Sequence, residues 1–318
     1  MTRVAAIDCG TNSIRLLVAD VDRAAGTLVD VDRRMEVVRL GQGVDRTGRI
    51  APEALQRTHD AAARYAEECI RLGVERIRFV ATSASRDAEN RQEFVDAVHE
   101  TLGVEPEVIG GDEEARLSFR GATAALAGRH PGPFLVVDLG GGSTELVLGT
   151  TSPVVAYSMD VGCVRLTERH LHGDPPTPAE IAAASADVVA ALDQAGRVVP
   201  FGRTATLVGL AGSVTSVTAH VLDLERYDPA RIDGAVLPVD RVLESCRTLL
   251  GMSRSRRAVL PFMHPGRVDV MGAGALIWSD IVSRVRAEVG VAGGRLKTVV
   301  TSEHDILDGI AWSAAERG

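Results

Sequence analysis

Phe134 to Gly149 reads FLVVDLGGGSTELVLG. Phe134, Leu135, Val136 and Val137 form an apolar run of buried-strand type, and Asp138 falls where that strand should end. Gly140, Gly141 and Gly142 permit a tight turn, after which Leu146, Val147 and Leu148 begin a return strand. Three successive glycines remove the Cβ atoms that would hold a ligand off the main chain, so N–H groups can converge on an anion. Phosphate is the natural guest. Asp138 and Glu145 flank the turn, and two carboxylates beside phosphate repel it unless a cation lies between, which suggests Mg²⁺ held largely through water. An ordinary glycine-rich hairpin is the plainer alternative at this point.

The chain contains the pattern twice. DCGTNSIRLLV starts at Asp8 and DLGGGSTELVL at Asp138, and an offset of 130 (8 + 130 = 138) aligns Gly10 with Gly140, Ser13 with Ser143 and Leu16 with Leu146. The first copy also follows an apolar run, Val4 to Ile7. Two related hairpins imply two related lobes, and their phosphate loops are expected to face each other across a cleft.

Length sets the frame for these lobes: 318 residues with 45% hydrophobic content are enough for two packed cores. No run reaches the ~18 apolar residues of a membrane span, and Met1-Thr2-Arg3 leads straight into a strand, so a soluble, cytoplasmic protein without a membrane partner is expected. A net charge of −8 argues against a nucleic-acid partner. Lys297 is the single lysine, so positive charge is carried by arginine, whose guanidinium fork suits phosphate. Cys9, Cys69, Cys163 and Cys246 have neither zinc-knuckle nor disulfide spacing and read as reduced thiols.

Along the chain, strands are expected at Val4 to Ile7, Ile14 to Asp20, Thr27 to Asp32 and Met35 to Leu40, then a helix opened by Pro52 and a strand from Ile77 to Ala81. Thr82-Ser83-Ala84-Ser85-Arg86 lies at that strand's end, where open α/β sheets place ligand groups; Arg86 is either a phosphate grip or a solvated turn residue. Asp112 is expected to cap the next helix, with Glu113 and Glu114 in its first turn. Acidic residues there are commonplace for dipole reasons, though a glutamate at a cleft edge can also polarise a water. Gly209, Gly212, Ser213 and Thr215 make a third turn, either an ordinary strand-to-helix connection or a further ligand wall. The arginines around Ser253 to Arg257 read as a solvated face, Val268 to Met271 as a strand, and Asp305 to Glu316 as the last helix.

Several chemistries are set aside. There is no GxxxxGK[ST] and no HExxH, and Glu145 and Thr215 stand where a GxSxG elbow needs its last glycine. His170 and His172 are i and i+2 on an expected helix, do not share a face, and read as surface residues.

AIDCGTNSIRLLV at Ala6 to Val18, ATSASR at Ala81 to Arg86, GDEEARLSFRG at Gly111 to Gly121 and DLGGGSTE at Asp138 to Glu145 occur in an order and spacing that resemble the exopolyphosphatase/guanosine pentaphosphate phosphatase family. That family belongs to the actin, hexokinase and Hsp70 superfamily. The resemblance implies an α/β fold of two ribonuclease-H-like (actin-like ATPase) domains, each a mixed sheet flanked by helices, with the active site in the interdomain cleft. The expected domains are 1–123 with the C-terminal segment 303–318, and 124–302. It also implies a Mg²⁺-dependent (or Mn²⁺-dependent) hydrolase that cleaves a terminal phosphoanhydride. Carried onto matching positions, Glu114 corresponds to the glutamate that activates water and Arg86 to the phosphate-gripping arginine. Asp138 and Glu145 correspond to carboxylates that organise metal and water, with Asp8 as a further expected metal ligand. Gly10, Thr11, Asn12 and Ser13, and Gly140, Gly141, Gly142 and Ser143, are the expected phosphate loops. A homodimer is expected on the same basis.

The sequence departs from the family pattern in lacking, up to Gly318, the extra C-terminal helical domains of long members, and in a third turn that reads GLAGS. Inorganic polyphosphate is the leading substrate and guanosine pentaphosphate the alternative, since both present the same terminal anhydride. A sugar kinase of the same superfamily would need its own sugar pocket and base, and a non-enzymatic phosphate or nucleotide sensor would leave Glu114 without a task.

Overall fold

The structure, a computed structural model, describes residues 1–126 and 128–317. Gly318, the end of the expected C-terminal segment, and Ala127, inside the expected second domain, lie outside the described residues. The chain divides into two compact units: Met1–Gly121 with the chain from Ile306 onward, and Ala122–Asp305.

The first unit runs β1 (Thr2–Cys9), β2 (Ser13–Asp22), β3 (Thr27–Val37), α1 (Val44–Thr47), α2 (Pro52–Arg71), β4 (Arg76–Ala81), α3 (Ser83–Asp87), α4 (Arg91–Leu102), β5 (Glu107–Val108) and α5 (Gly111–Leu126). Its sheet has the order β3-β2-β1-β4-β5, with β1, β4 and β5 parallel and β2 and β3 antiparallel. Alternation along β1 sends Ala5, Ile7 and Cys9 to one core and Val4 and Ala6 to another, because successive side chains leave a strand on opposite faces. The first core is filled by Tyr65 and Ala61 of α2 and Phe94 and Val98 of α4. There Phe79 and Phe94 meet edge to face at 6.1 Å, worth roughly 1 kcal/mol beyond their burial.

The second unit runs β6 (Phe134–Leu139), β7 (Thr144–Gly149), β8 (Pro153–Met159), α6 (Cys163–His170), α7 (Pro178–Ala195), β9 (Thr206–Leu210), α8 (Ala211–Val221), α9 (Pro229–Ile232), β10 (Val236–Pro238), α10 (Val239–Gly251), α11 (Arg254–Ala258), α12 (Met271–Val291) and β11 (Thr298–Thr301). Its sheet order is β10-β11-β9-β6-β7-β8, with β6, β9 and β11 parallel. Removing β10 leaves an order and strand sense that repeat the first sheet, with β6 in the place of β1 and β7 in the place of β2. The sequence duplication is therefore a duplication of topology. The last helix, α13 (Ile306–Glu316), belongs to the first unit and buries Ile306, Leu307, Ile310, Ala311 and Ala314 in its second core. Each large aliphatic side chain so buried contributes about 2 kcal/mol. Gly309 lets α13 approach closely, since a Cβ there would stand 2.1 Å from the Leu117 carbonyl oxygen of α5.

Four local expectations are corrected. Thr27 to Asp32 and Met35 to Leu40 are not two strands: β3 is one strand that absorbs a bulge opposite Val18 and Ala19, and Arg33 and Arg34 stay in it by pairing with Asp30 and Asp32. Val268 to Met271 is not a strand, because this short apolar run is the approach to the buried helix α12, and periodicity alone does not separate those cases. Asp112 sits inside the first turn of α5, which starts at Gly111. Arg257 is not solvated: it is 2% exposed, its Nε and Nη1 lack a hydrogen-bond partner, and burial lowers its pKa. No helix among the described residues is long and apolar enough to cross a membrane.

Candidate active site

Both glycine turns are hairpins closed by the same hydrogen bond. Gly10 N–H donates to the Ser13 carbonyl at 3.0 Å, and Gly140 N–H donates to the Ser143 carbonyl at 3.0 Å. The turn carbonyls are engaged from behind. In the first unit Gly41 N–H donates to the Thr11 carbonyl, and Val38 and Arg39 N–H to that of Asn12. In the second unit the first turn of α6 does the same: Cys163 N–H donates to Gly140, and Val164 and Arg165 N–H to Gly141. A trans peptide points its N–H opposite to its C=O, so the Asn12 and Ser13 amides, and those of Gly141 and Gly142, are turned away from these supports. That is the orientation an anion cradle requires. Gly162, at the N-cap of α6, is what allows this contact, since a Cβ there would lie 2.4 Å from the Gly141 carbonyl carbon.

In the first unit, the ends of the parallel strands β1, β4 and β5 gather Asp8, the Thr11–Ser13 turn, Ser83, Arg86 and Glu114. Thr11 Oγ1 and Ser83 Oγ are 2.8 Å apart, tying the turn to α3. The Thr82–Arg86 stretch, expected as a turn, is largely the helix α3. Arg86 Nη1 donates to the Ile109 carbonyl at 3.1 Å and lies 3.3 Å from Glu114 Oε2. Glu114 is 7% exposed, whereas its neighbour Glu113 pairs with Arg78. The two adjacent glutamates are thus separated by about 100° of helix, one towards Arg86 and one away.

In the second unit Asp138 and Glu145 are direct partners across the β6–β7 ladder, 8% and 1% exposed. Opposite partners in antiparallel strands share a face about 5 Å apart at Cα. Glu145 Oε1 also accepts from Ser158 Oγ at 2.8 Å. Hard oxygen donors of this kind suit Mg²⁺, which takes one or two carboxylates and completes its shell with water and phosphate.

Asp8, the further expected metal ligand, is engaged by the arginine of its own hairpin. Its Oδ2 is held by Arg15 Nη2 at 2.6 Å and Nε at 3.0 Å. Among the described residues no group of three or more His, Cys, Asp or Glu is gathered for a metal. Arg15 is the residue sequence reasoning missed, although the offset shows it (15 + 130 = 145): it occupies in the first hairpin the position Glu145 occupies in the second.

The third turn is the β9–α8 junction, with Ala211 in the left-handed region at φ 66°. Arg267 Nη1 donates to the Gly212 carbonyl at 3.3 Å, and its guanidinium fills the space a Cβ on Gly212 would take. His170, expected at the surface, is half-buried with Nε2 3.0 Å from Asp187 Oδ2. Burial, and then the Asp8 carboxylate, push the Cys9 thiol well above its usual range, so it is a protonated, poorly nucleophilic thiol at neutral pH.

Duplicated hairpins with carboxylates and arginines at strand ends define a two-unit α/β protein built for phosphate groups. The chain belongs to the Ppx/GppA phosphatase family, whose model matches residues 17–294. It is 51% identical over 322 aligned residues to the protein named Exopolyphosphatase 2 of Mycobacterium tuberculosis, covering 99% of each. Among solved structures, it is similar to one described as an exopolyphosphatase-like protein, at 46% identity and TM-score 0.95 over 99% of both chains. It is also similar to the Aquifex aeolicus Ppx/GppA family member, at 28% identity and TM-score 0.78, covering 100% of this chain and 99% of that one.

Proposed function

We propose that this protein is an exopolyphosphatase that hydrolyses the terminal phosphoanhydride of inorganic polyphosphate and releases orthophosphate. The observation that carries this reading is the pairing of Arg86 with the buried Glu114 at the strand ends of the first unit. Its support among relatives is the full-length likeness to a protein named Exopolyphosphatase 2.

Glu114 accepts a proton from a water as that water's oxygen attacks the terminal phosphorus, and the bond from phosphorus to the bridging oxygen breaks. Arg86 exchanges its contact with Glu114 for the phosphoryl oxygens, which neutralises charge on the group being transferred. The turn amides of Asn12 and Ser13 bind further phosphate oxygens in the first unit, and those of Gly141 and Gly142 offer the same kind of cradle in the second. Asp138 and Glu145 would hold Mg²⁺ (or Mn²⁺), which supplies charge neutralisation on phosphate oxygens. Cytoplasmic residence and a homodimer belong to the same family reading, and gel filtration tests the latter.

Phosphate release from short polyphosphate, long polyphosphate and guanosine pentaphosphate, compared as kcat/KM in Mg²⁺, tests the proposal. Higher kcat/KM on polyphosphate is the expected result; preference for the nucleotide would assign the same residues to its 5′ terminal phosphate instead.

A further inference from the structure

The stretch from Glu107 to Glu114, which carries the end of β5 into α5, is held by two arginines of the β4–α3 region. Arg86 engages Ile109 and Glu114. The other is Arg78 of β4, 3% exposed, with all three guanidinium nitrogens engaged. Nε and Nη2 donate to Glu107, the latter at 2.9 Å, Nη2 also lies 2.5 Å from Glu113 Oε1, and Nη1 donates to Ser313 Oγ of α13 at 2.7 Å. Glu107 is held a second time by Arg317. Alternate residues of one short segment are therefore fixed from two directions, 107 and 113 by Arg78, 109 and 114 by Arg86.

The geometry matters because Glu113 and Glu114 are rigidly related. Adjacent helical residues differ by 100° in azimuth, so whatever fixes Glu113 fixes the direction of Glu114. A carboxylate roughly 6 Å from the helix axis moves about 2 Å when the helix turns by about 20°. Misplacement of reacting groups by about 1 Å is enough to cost on the order of a hundredfold in rate. Arg86 contacts Glu114 at 3.3 Å through the side chain and must release it to substrate under the proposed mechanism. When it does, the Arg78–Glu113 pair still fixes the helix.

We propose that Arg78 is a positioning residue: through Glu113 it sets the azimuth of α5 and keeps Glu114 aimed when Arg86 turns to the phosphate. The inference rests on the reading of Glu114 as the base. It also gives α13 a part in the reaction, because Ser313 and Arg317 brace the same guanidinium and the same Glu107.

Arg78→Lys and Glu113→Gln test it, with polyphosphate as substrate. Lysine keeps the charge but cannot span Glu107, Glu113 and Ser313 as a planar fork does. Glu113 is 46% exposed, so its variant removes one arm with little risk to folding and decides the matter if Arg78→Lys proves unstable. Both variants are expected to lose about tenfold in kcat with KM within about twofold of the wild type. In a Glu114→Gln background the same substitutions are expected to cost nothing further on the residual turnover, because no base remains to be aimed. Folded variants with kcat within twofold of the wild type, or losses that persist undiminished in the Glu114→Gln background, would overturn the proposal. Wild-type turnover in Glu114→Gln alone would overturn the reading beneath it, an outcome visible in that single variant before Arg78 is touched.

Discussion

Glu145 faces Asp138 across the second hairpin at the position where Arg15 faces Asp8 across the first. One hairpin closes its charge internally, with Arg15 on Asp8 at 2.6 Å; the other presents two buried carboxylates. The aligned position thus carries an arginine in one unit and a carboxylate, a donor type suited to a hard cation, in the other. Mg²⁺ should raise the Tm of the wild type, and Asp138→Asn should remove most of that rise, as read by differential scanning fluorimetry across a Mg²⁺ titration. An undiminished rise in the variant would place the ion elsewhere.

The Asp8–Arg15 pair makes a separate prediction. Asp8 is 5% exposed, so Arg15→Gln takes the guanidinium away from a buried carboxylate, and about 3 kcal/mol should be lost in urea unfolding. Adding Asp8→Asn should restore most of it. If the double variant is no more stable than the single one, the pair is not what Asp8 depends on.

Gly162→Ala should damage turnover far more than stability. The added Cβ would lie 2.4 Å from the Gly141 carbonyl carbon and 2.6 Å from Gly142 N, and backbone atoms cannot swing aside as a side-chain tip can. The turn must shift, and at least about a tenfold fall in kcat/KM is expected. Gly251→Ala, where nothing lies within 4 Å of the new Cβ, should leave kcat/KM unchanged. Equal rates in the two variants would argue that the Gly140–Gly142 turn has no part in catalysis.

The start of α7 offers a pH test independent of the site. Thr177 and Glu180 form a capping box, and hydrogen bonds led by the Thr177 and Gly173 N–H groups lower the Glu180 carboxyl to about 2. Its folded pKa lies below the unfolded value of about 4.3, so its stabilisation is present above that value and lost as pH falls towards 2. The Tm gap between wild type and Glu180→Gln should hold steady from neutral pH to about 5 and narrow below about 4.5. A gap that widens on acidification would contradict the assignment.

The sequence revealed the hairpins because a buried strand, a glycine turn and a return strand leave a local pattern, and the 130-residue offset exposed the second copy. Contacts between distant segments were not legible in the same way. Nothing near Glu113 shows that Arg78, on a strand 35 positions earlier, selects it over Glu114, because that choice depends on strand order and helix azimuth. Arg257 failed for a related reason: an arginine-rich run looks solvated until Gly272, which brings α12 against it, is placed. The Val268 to Met271 run was ambiguous in principle, since short apolar runs serve buried strands and buried helix starts alike.

The central claim is that Glu114 is the base for polyphosphate hydrolysis, and Glu114→Gln tests it most directly. Orthophosphate release and equilibrium binding of polyphosphate should be measured on the same preparation in Mg²⁺. The account predicts turnover lowered by at least about a thousandfold with Kd within a few-fold of the wild type. Turnover near the wild-type rate would show that another group takes the proton.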